Sequence, residues 1–238
     1  MVIPFVRVGK VTVKVVLFQI GLIFLFISSC FAAGSGAFRV ELVDAEALAK
    51  GEAFVGEADN PSAVFYNPAG LTQLKGQNQL SLGLAGLFPA VTYKNFAGAE
   101  SQMVGQSFLI PNIYFVSDFG LEKFAFGLGG SSNWGTGTEW NNDSFSGYTA
   151  TRSDVTNTDV MFSGAYKLTE KLSLGLSLDH DYSAVNKSKR LQQTGGTDGD
   201  FQLKGKTGGW GYRLAALYEL NEHHQFGLQY RSPIEEKY

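Results

Sequence analysis

Cysteine is all but missing from this chain. Cys30 is the only one among 238 residues, so no disulfide can form within the chain and packing and hydrogen bonding must hold the fold. Histidine is nearly as scarce, with His180, His223 and His224 the full set. His180 falls on the apolar face of an alternating segment and the other two lie in a turn. No nucleophile stands beside any of them, so no catalytic residue is nominated and no enzyme is expected. Charged residues amount to only 17%, with a net charge of -3. That balance offers no broad basic surface and excludes nucleic acid as a partner. After the N-terminus there is no run of about 18 apolar residues, so no transmembrane helix is expected there. Two acidic loops, Asn141-Asn142-Asp143 and Asp198-Gly199-Asp200, lack the spacing that the roughly six to eight oxygen ligands of calcium require. Gly127, Gly129 and Gly130 are followed by no helix and make no nucleotide fingerprint. Neither a metal nor a cofactor is expected.

What the chain does have begins with an export signal. Arg7, Lys10 and Lys14 precede the apolar run from Val15 to Ile27, and small residues follow at Ser28, Ser29, Ala32 and Ala33. This is the order of a secretory signal peptide spanning residues 1–33, cleaved after Ala32 or Ala33. The alternatives are an uncleaved N-terminal anchor, or acylation at Cys30, because Ile27-Ser28-Ser29-Cys30 loosely resembles a lipoprotein box.

Residues 34–76 form the next unit. Asp44 is placed to cap a short helix through Ala45, Leu48 and Ala49 that stops at Gly51. The segment is too short and too poor in large apolar residues to bury a core of its own, so it must dock on something. Its most distinctive stretch runs from Asp59 to Leu71, where Pro68 and Gly70 exclude the interior of an ordinary strand or helix.

From Gln79 onward the pattern has period two. Leu80, Leu82, Leu84 and Phe88 share a face, as do Phe124, Phe126 and Leu128; Val160, Phe162 and Tyr166; Leu172, Leu174, Leu176 and Leu178; Tyr212, Leu214, Ala216 and Tyr218; and Phe226, Leu228 and Tyr230. Such alternation predicts strands with one apolar face. The strand around Ile110 to Ser117 is ambiguous, because Ile113 and Phe115 compete with Tyr114 and Val116. The opposite face is mostly small, with Gly83, Gly127, Gly129, Ser173, Gly175, Ser177, Gly211 and Gly227, and carries isolated charges at Asp159, Asp179, Asp181 and Arg213. A soluble sandwich or a lipocalin-type carrier would put long charged side chains toward water. A small, sparsely charged face suits a barrel interior that leaves room for a plug, with the apolar face against lipid.

The connections alternate as well. Short turns fall at Asp118 to Glu122, Leu168 to Lys171 and Asn221 to His224; long polar loops fall at Pro89 to Ser107, Ser132 to Val155 and Val185 to Asp200. Outer-membrane barrels place short turns in the periplasm and long loops outside. The predicted fold is therefore an all-β, antiparallel transmembrane barrel, with about seven strands of roughly ten residues over residues 77–238. Tyr182, Trp210, Tyr218 and Tyr230 near strand ends fit interfacial aromatic girdles.

Together these features resemble the FadL family of outer-membrane transporters for long-chain fatty acids and other hydrophobic compounds. The resemblance rests on Ala58-Asp59-Asn60-Pro61-Ser62-Ala63-Val64-Phe65-Tyr66-Asn67-Pro68-Ala69-Gly70-Leu71, which is similar to that family's hatch motif. It continues in Trp210-Gly211-Tyr212-Arg213-Leu214 and in Phe226-Gly227-Leu228-Gln229-Tyr230-Arg231-Ser232-Pro233. The resemblance implies a barrel of about fourteen strands, of which residues 77–238 make the first half, with residues 34–76 folded inside as a hatch. It implies capture of the substrate by outer loops, passage to a luminal pocket, and passive diffusion out through a lateral gap near Asn67, Pro68 and Ala69. No cofactor is implied. The partners would be fatty acids or similar hydrophobic molecules, outer-membrane lipid and the barrel-assembly machinery, in the outer membrane of a Gram-negative-type bacterium.

Two departures stand out. Asn60 occupies a position where family members often carry a second acid, and the alternating pattern ends after half the implied strands, as in the N-terminal half of a longer product. A general porin-like or structural barrel, or an incomplete non-transporting fragment, are the other readings. On the luminal parity, Arg213 and Arg231 either pair with Asp159, Asp179 and Asp181 or hold a substrate carboxylate by bidentate contact.

Overall fold

The computed structural model describes residues 39–40, 42–74, 76 and 78–237. The expected signal peptide, with Cys30, lies outside the described residues. The strands are β1 Gln79–Leu87, β2 Thr92–Lys94, β3 Glu100–Gln102, β4 Phe108–Ser117, β5 Phe124–Ser131, β6 Gly135–Glu139, β7 Arg152–Lys167, β8 Leu172–Leu191, β9 Gly199–Asn221 and β10 His224–Arg231. Seven of them follow one another in the order β1-β4-β5-β7-β8-β9-β10, with β6 added on β7 and β2-β3 forming a separate hairpin. Every pairing is antiparallel, and the sheet curls into a half-barrel.

Alternation in the sequence becomes two faces in space. Leu80, Leu82 and Leu84 on β1 are 62%, 69% and 68% exposed, and Leu176, Leu214 and Leu228 join them on the outer face. Rings pair across neighbouring strands there, as in Phe124 with Tyr166 at 4.8 Å and His180 with Trp210 at 4.5 Å between centroids. Among the described residues no helix is long and apolar enough to cross a membrane; the strands carry the apolar surface.

The ambiguity in β4 resolves in favour of Tyr114 and Val116, which are fully enclosed, while Leu109 and Ile113 point outward. The reason is the N-terminal segment. Val43, Phe54, Ala58, Val64, Phe65 and Leu71 from that segment cluster with Tyr114, Val116, Ala125, Met161 and Ala165 of the strands. The core therefore lies between residues 42–74 and the inner face of the sheet.

Asp44 caps the helix Ala45–Ala49 as expected, its carboxylate accepting from the backbone of Glu46 at 3.0 Å and Ala47 at 2.9 Å. Gly51, just past the helix, takes a left-handed φ of 64°, the conformation that glycine adopts without a Cβ penalty.

One expectation needs correcting. The strands are not uniformly about ten residues long: β7, β8 and β9 have 16, 20 and 23. The segment expected to be a loop from Val185 to Asp200 is largely ladder, running from Val185 opposite Gly205 to Leu191 opposite Gly199. The hairpin continues beyond the apolar band, where one face carries Asn186, Ser188, Arg190, Lys204 and Lys206 and the other mixes Lys187 and Lys189 with Phe201 and Leu203, so the period-two signal is broken. The other two long loops also contain structure, the β2-β3 hairpin in one, and β6 with a 3₁₀ turn at Phe145–Tyr148 in the other.

Candidate functional site

The stretch around the Asn-Pro-Ala turn folds as two short helical pieces, a helix at Ala63–Tyr66 and a 3₁₀ helix at Pro68–Gln73. Asn67 joins them in an extended conformation with φ -162°. Pro68 opens the second piece, where its missing N–H costs nothing and its fixed φ suits the turn. The Asn67 side chain is fully buried and uses both ends of its amide. Its oxygen accepts from the Ala69 N–H at 3.1 Å, while Nδ2 donates to the carbonyls of Val55 at 2.7 Å and Ala216 at 3.2 Å. One side chain thus ties the turn to itself, to the preceding loop and to β9.

Small residues on the inner face make the seat. A Cβ added at Gly175 of β8 would stand 2.3 Å from the Ala69 nitrogen, and one at Gly227 of β10 would stand 2.0 Å from the Val55 oxygen. At Gly127 and Gly129 of β5 it would strike Val64 at 2.4 and 2.8 Å. These are backbone-to-backbone and close side-chain approaches that only glycine permits. Polar contacts complete the seat. Thr72 Oγ1 is 2.7 Å from Ser173 Oγ and Gln229 Nε2 donates to the Phe65 carbonyl at 2.9 Å, while within the segment itself Gln73 Nε2 donates to the Glu57 carbonyl at 2.7 Å.

Beside the seat lies a buried ionic network. Arg213 is 1% exposed; its Nε donates to Asp179 at 2.6 Å, its Nη2 to Asp159 at 2.7 Å and its Nη1 to the Phe65 carbonyl. Its guanidinium also lies 4.7 Å from the centroid of the Phe65 ring. Arg231, whose side chain is 26% exposed, donates to Asp159 at 2.8 Å and lies 3.5 Å from Asp181. Strand register brings these charges together: Asp159 is opposite Asp181, Asp179 opposite Gly211, and Arg213 opposite Arg231. The network joins four strands, β7 to β10, to the N-terminal segment through Arg213.

The five expected site residues therefore fall in one place, with Asn67, Pro68 and Ala69 on one side and Arg213 and Arg231 on the other. Sequence reasoning did not single out Gly175, Gly227, Ser173 or Gln229 as site residues. Their signal was present only as small or neutral residues at the luminal parity.

At the outer edge of the segment, the carboxylates of Glu46, Glu57 and Asp59 come within 4.8 Å of one another. Lys50 Nζ stands 2.8 Å from both Glu46 and Glu57, and Asn60 donates to the other Glu46 oxygen at 2.9 Å. The lysine and the amide already engage Glu46, and the lysine engages Glu57. The hydrogen bond with Lys50 holds Glu46 below its ordinary value, and that with Glu46 raises Lys50. Burial, reinforced by a 2.6 Å hydrogen bond to Glu52, raises the Tyr66 phenol. Asn60, the departure from the family pattern, also accepts from the Ser62 N–H at 2.9 Å and thereby shapes the entry to the turn.

Comparison with known proteins agrees with this architecture. Residues 25–238 match the family model for the outer membrane protein transport protein (OMPP1/FadL/TodX). A long-chain fatty acid transport protein of Salmonella typhi is 25% identical over 231 residues, covering 85% of this chain and 51% of that protein. A 47 kDa outer membrane protein of Pasteurella multocida is 30% identical over 226 residues, covering 86% of this chain and 51% of that protein. Among solved structures, a Pseudomonas aeruginosa FadL homologue superposes with a TM-score of 0.63 at 17% identity, over 83% of this chain and 53% of that one. The chain spans about half the length of these relatives. With its outward apolar band, its inner seat and a family match over most of its length, this chain belongs to the OMPP1/FadL/TodX family of outer-membrane transport proteins.

Proposed function

We propose that this chain takes part in passive uptake of long-chain fatty acids or other hydrophobic compounds across the outer membrane. Residues 34–76 act as a hatch and residues 77–238 as the wall that receives it, the remaining strands of a closed barrel lying next to β1 and β10. No chemical step and no cofactor is involved. The observation that carries the reading is the seating of the Asn-Pro-Ala turn by close backbone approach to Gly175 and by the doubly engaged amide of Asn67. A plug of this kind, held on one side by a few specific contacts, can shift while the strand ladder stays intact. The relatives named for long-chain fatty acid transport support the substrate class.

The physics favours a lateral route. An alkyl tail gains about 0.8 kcal/mol per methylene on leaving water, so the obstacle is the packed polar surface of the outer leaflet. An exit through the wall below that surface delivers the tail directly to hydrocarbon. In this scheme Arg213 anchors the hatch through Phe65, and Arg231, the more exposed of the two arginines, is the one placed to meet a substrate carboxylate. Insertion of the wall would use the barrel-assembly machinery.

Pro68→Ala tests the hatch. Uptake of a fluorescent long-chain fatty acid, measured in cells carrying the complete gene at equal surface abundance, is expected to fall in the variant. Unchanged uptake would overturn the role given to the turn. A general porin would instead conduct small ions steadily in a planar bilayer, which the hatch-seated transporter does not.

A further inference from the structure

The outer face of the long β7-β8-β9 hairpins carries a second feature that uptake does not require. The apolar band on this face ends at the row Thr158, Tyr182, Gly208, directly above Val160, His180, Trp210. The next row outward on the same parity is Thr156, Ala184, Lys206, and the one after it Asp154, Asn186, Lys204. With about 3.3 Å per residue and a strand tilt near 40°, these rows stand about 5 and 10 Å beyond the band along the membrane normal. The nearer row stands at the depth of lipid headgroups and the farther one just above that layer. The same residues line a groove of about 410 Å³. Both lysines are exposed, and among the described residues neither has an ion-pair partner. Asp154, whose charge is met by Arg152, and Asn186 each keep a buried Oδ1 without a hydrogen-bond partner.

We propose that this groove binds the phosphorylated amino-sugar headgroup of an outer-leaflet glycolipid. Lys204 and Lys206, both exposed on the groove, take the phosphate. Charge complementarity and continuity with the aromatic row below select this occupant over a soluble protein. A lipid whose acyl chains run down Tyr182, His180 and Trp210 places its headgroup at this height.

The test uses the full chain, folded in a non-ionic detergent and titrated with bisphosphorylated lipid A and with its dephosphorylated form, following tryptophan fluorescence. Binding of the phosphorylated lipid is expected to be about tenfold tighter or more, and Lys204→Gln/Lys206→Gln should remove that preference. The control Lys187→Gln/Lys189→Gln changes two lysines of opposite parity on β8 and should leave it in place. Equal binding of the two lipids by the unsubstituted chain overturns the proposal without reliance on any variant. So does a Lys204→Gln/Lys206→Gln chain that keeps the preference, or loss of the preference in the control. Full competition by millimolar inorganic phosphate would mark a free-anion site and also contradict it.

Discussion

Arg213 shows how much one buried side chain can hold. Its three nitrogen donors reach Asp179, Asp159 and the Phe65 carbonyl, so it neutralises two strands and grips the inner segment at once. Removing it leaves Asp159, Asp179 and Asp181 facing Arg231 alone, an uncompensated buried charge that costs about 3–5 kcal/mol. Arg213→Met is therefore expected to lower the denaturant midpoint of the refolded chain well below that of Arg231→Met, whose side chain is partly exposed. Equal midpoints would show that the network does not depend on Arg213. The luminal parity of these charges was legible in the sequence, because period two assigns every residue of a strand to a face. Pairing of Arg213 and Arg231 with Asp159, Asp179 and Asp181 was one of the two readings the sequence offered, and those ion pairs are present. Which carboxylate meets which arginine was not legible, since register between strands is set by turn lengths and ladder pairing. Asn67 was legible as part of a motif, but its bond to Ala216, 149 residues away, has no local signal.

At the scale of elements, the inner segment depends on glycines supplied by the wall. Gly175→Ala places a methyl 2.3 Å from backbone that has no rotamer with which to give way. Gly164→Ala on β7 meets only the Phe126 ring at 3.9 Å, an ordinary contact. The expected outcome is faster proteolysis within residues 42–74 in Gly175→Ala and an unchanged pattern in Gly164→Ala; identical cleavage of both would refute the seat. The helix capped by Asp44 and the seven-strand path could be read from the sequence because capping and alternation are local signals. The lengths of β8 and β9 could not. Between Asn186 and Lys206 one face is polar and the other sets Lys187 and Lys189 opposite Leu203 and Phe201, so the alternation that marks the membrane band breaks down while the ladder continues.

The chain divides by face: an apolar band outside and, among the described residues, a segment packed on the inner face. Leu176, 57% exposed, sits in the middle of the apolar stretch of β8 from Leu172 to Tyr182 and faces the centre of the band. Leu176→Arg is expected to cost about 2–4 kcal/mol of stability in bilayers, against roughly 0–1 kcal/mol for Asn186→Arg above it. Folding titrations into lipid vesicles measure both, and equal costs would mean that the exposed leucines do not meet lipid. Membership in the family accounts for this division, and the chain's span of about half its relatives leaves β1 and β10 at the two ends of the strand path.

Movement of the seated segment during uptake is the central claim, and a reversible lock tests it directly. Thr72 Oγ1 and Ser173 Oγ lie 2.7 Å apart, so Thr72→Cys/Ser173→Cys places two thiols where a disulfide can pin the segment to β8. Fluorescent fatty-acid uptake would be measured in cells carrying the complete gene, at equal surface abundance, before and after reduction. The account predicts low uptake in the oxidised variant and recovery on reduction. Uptake equal to the unsubstituted protein while the disulfide is intact would contradict it.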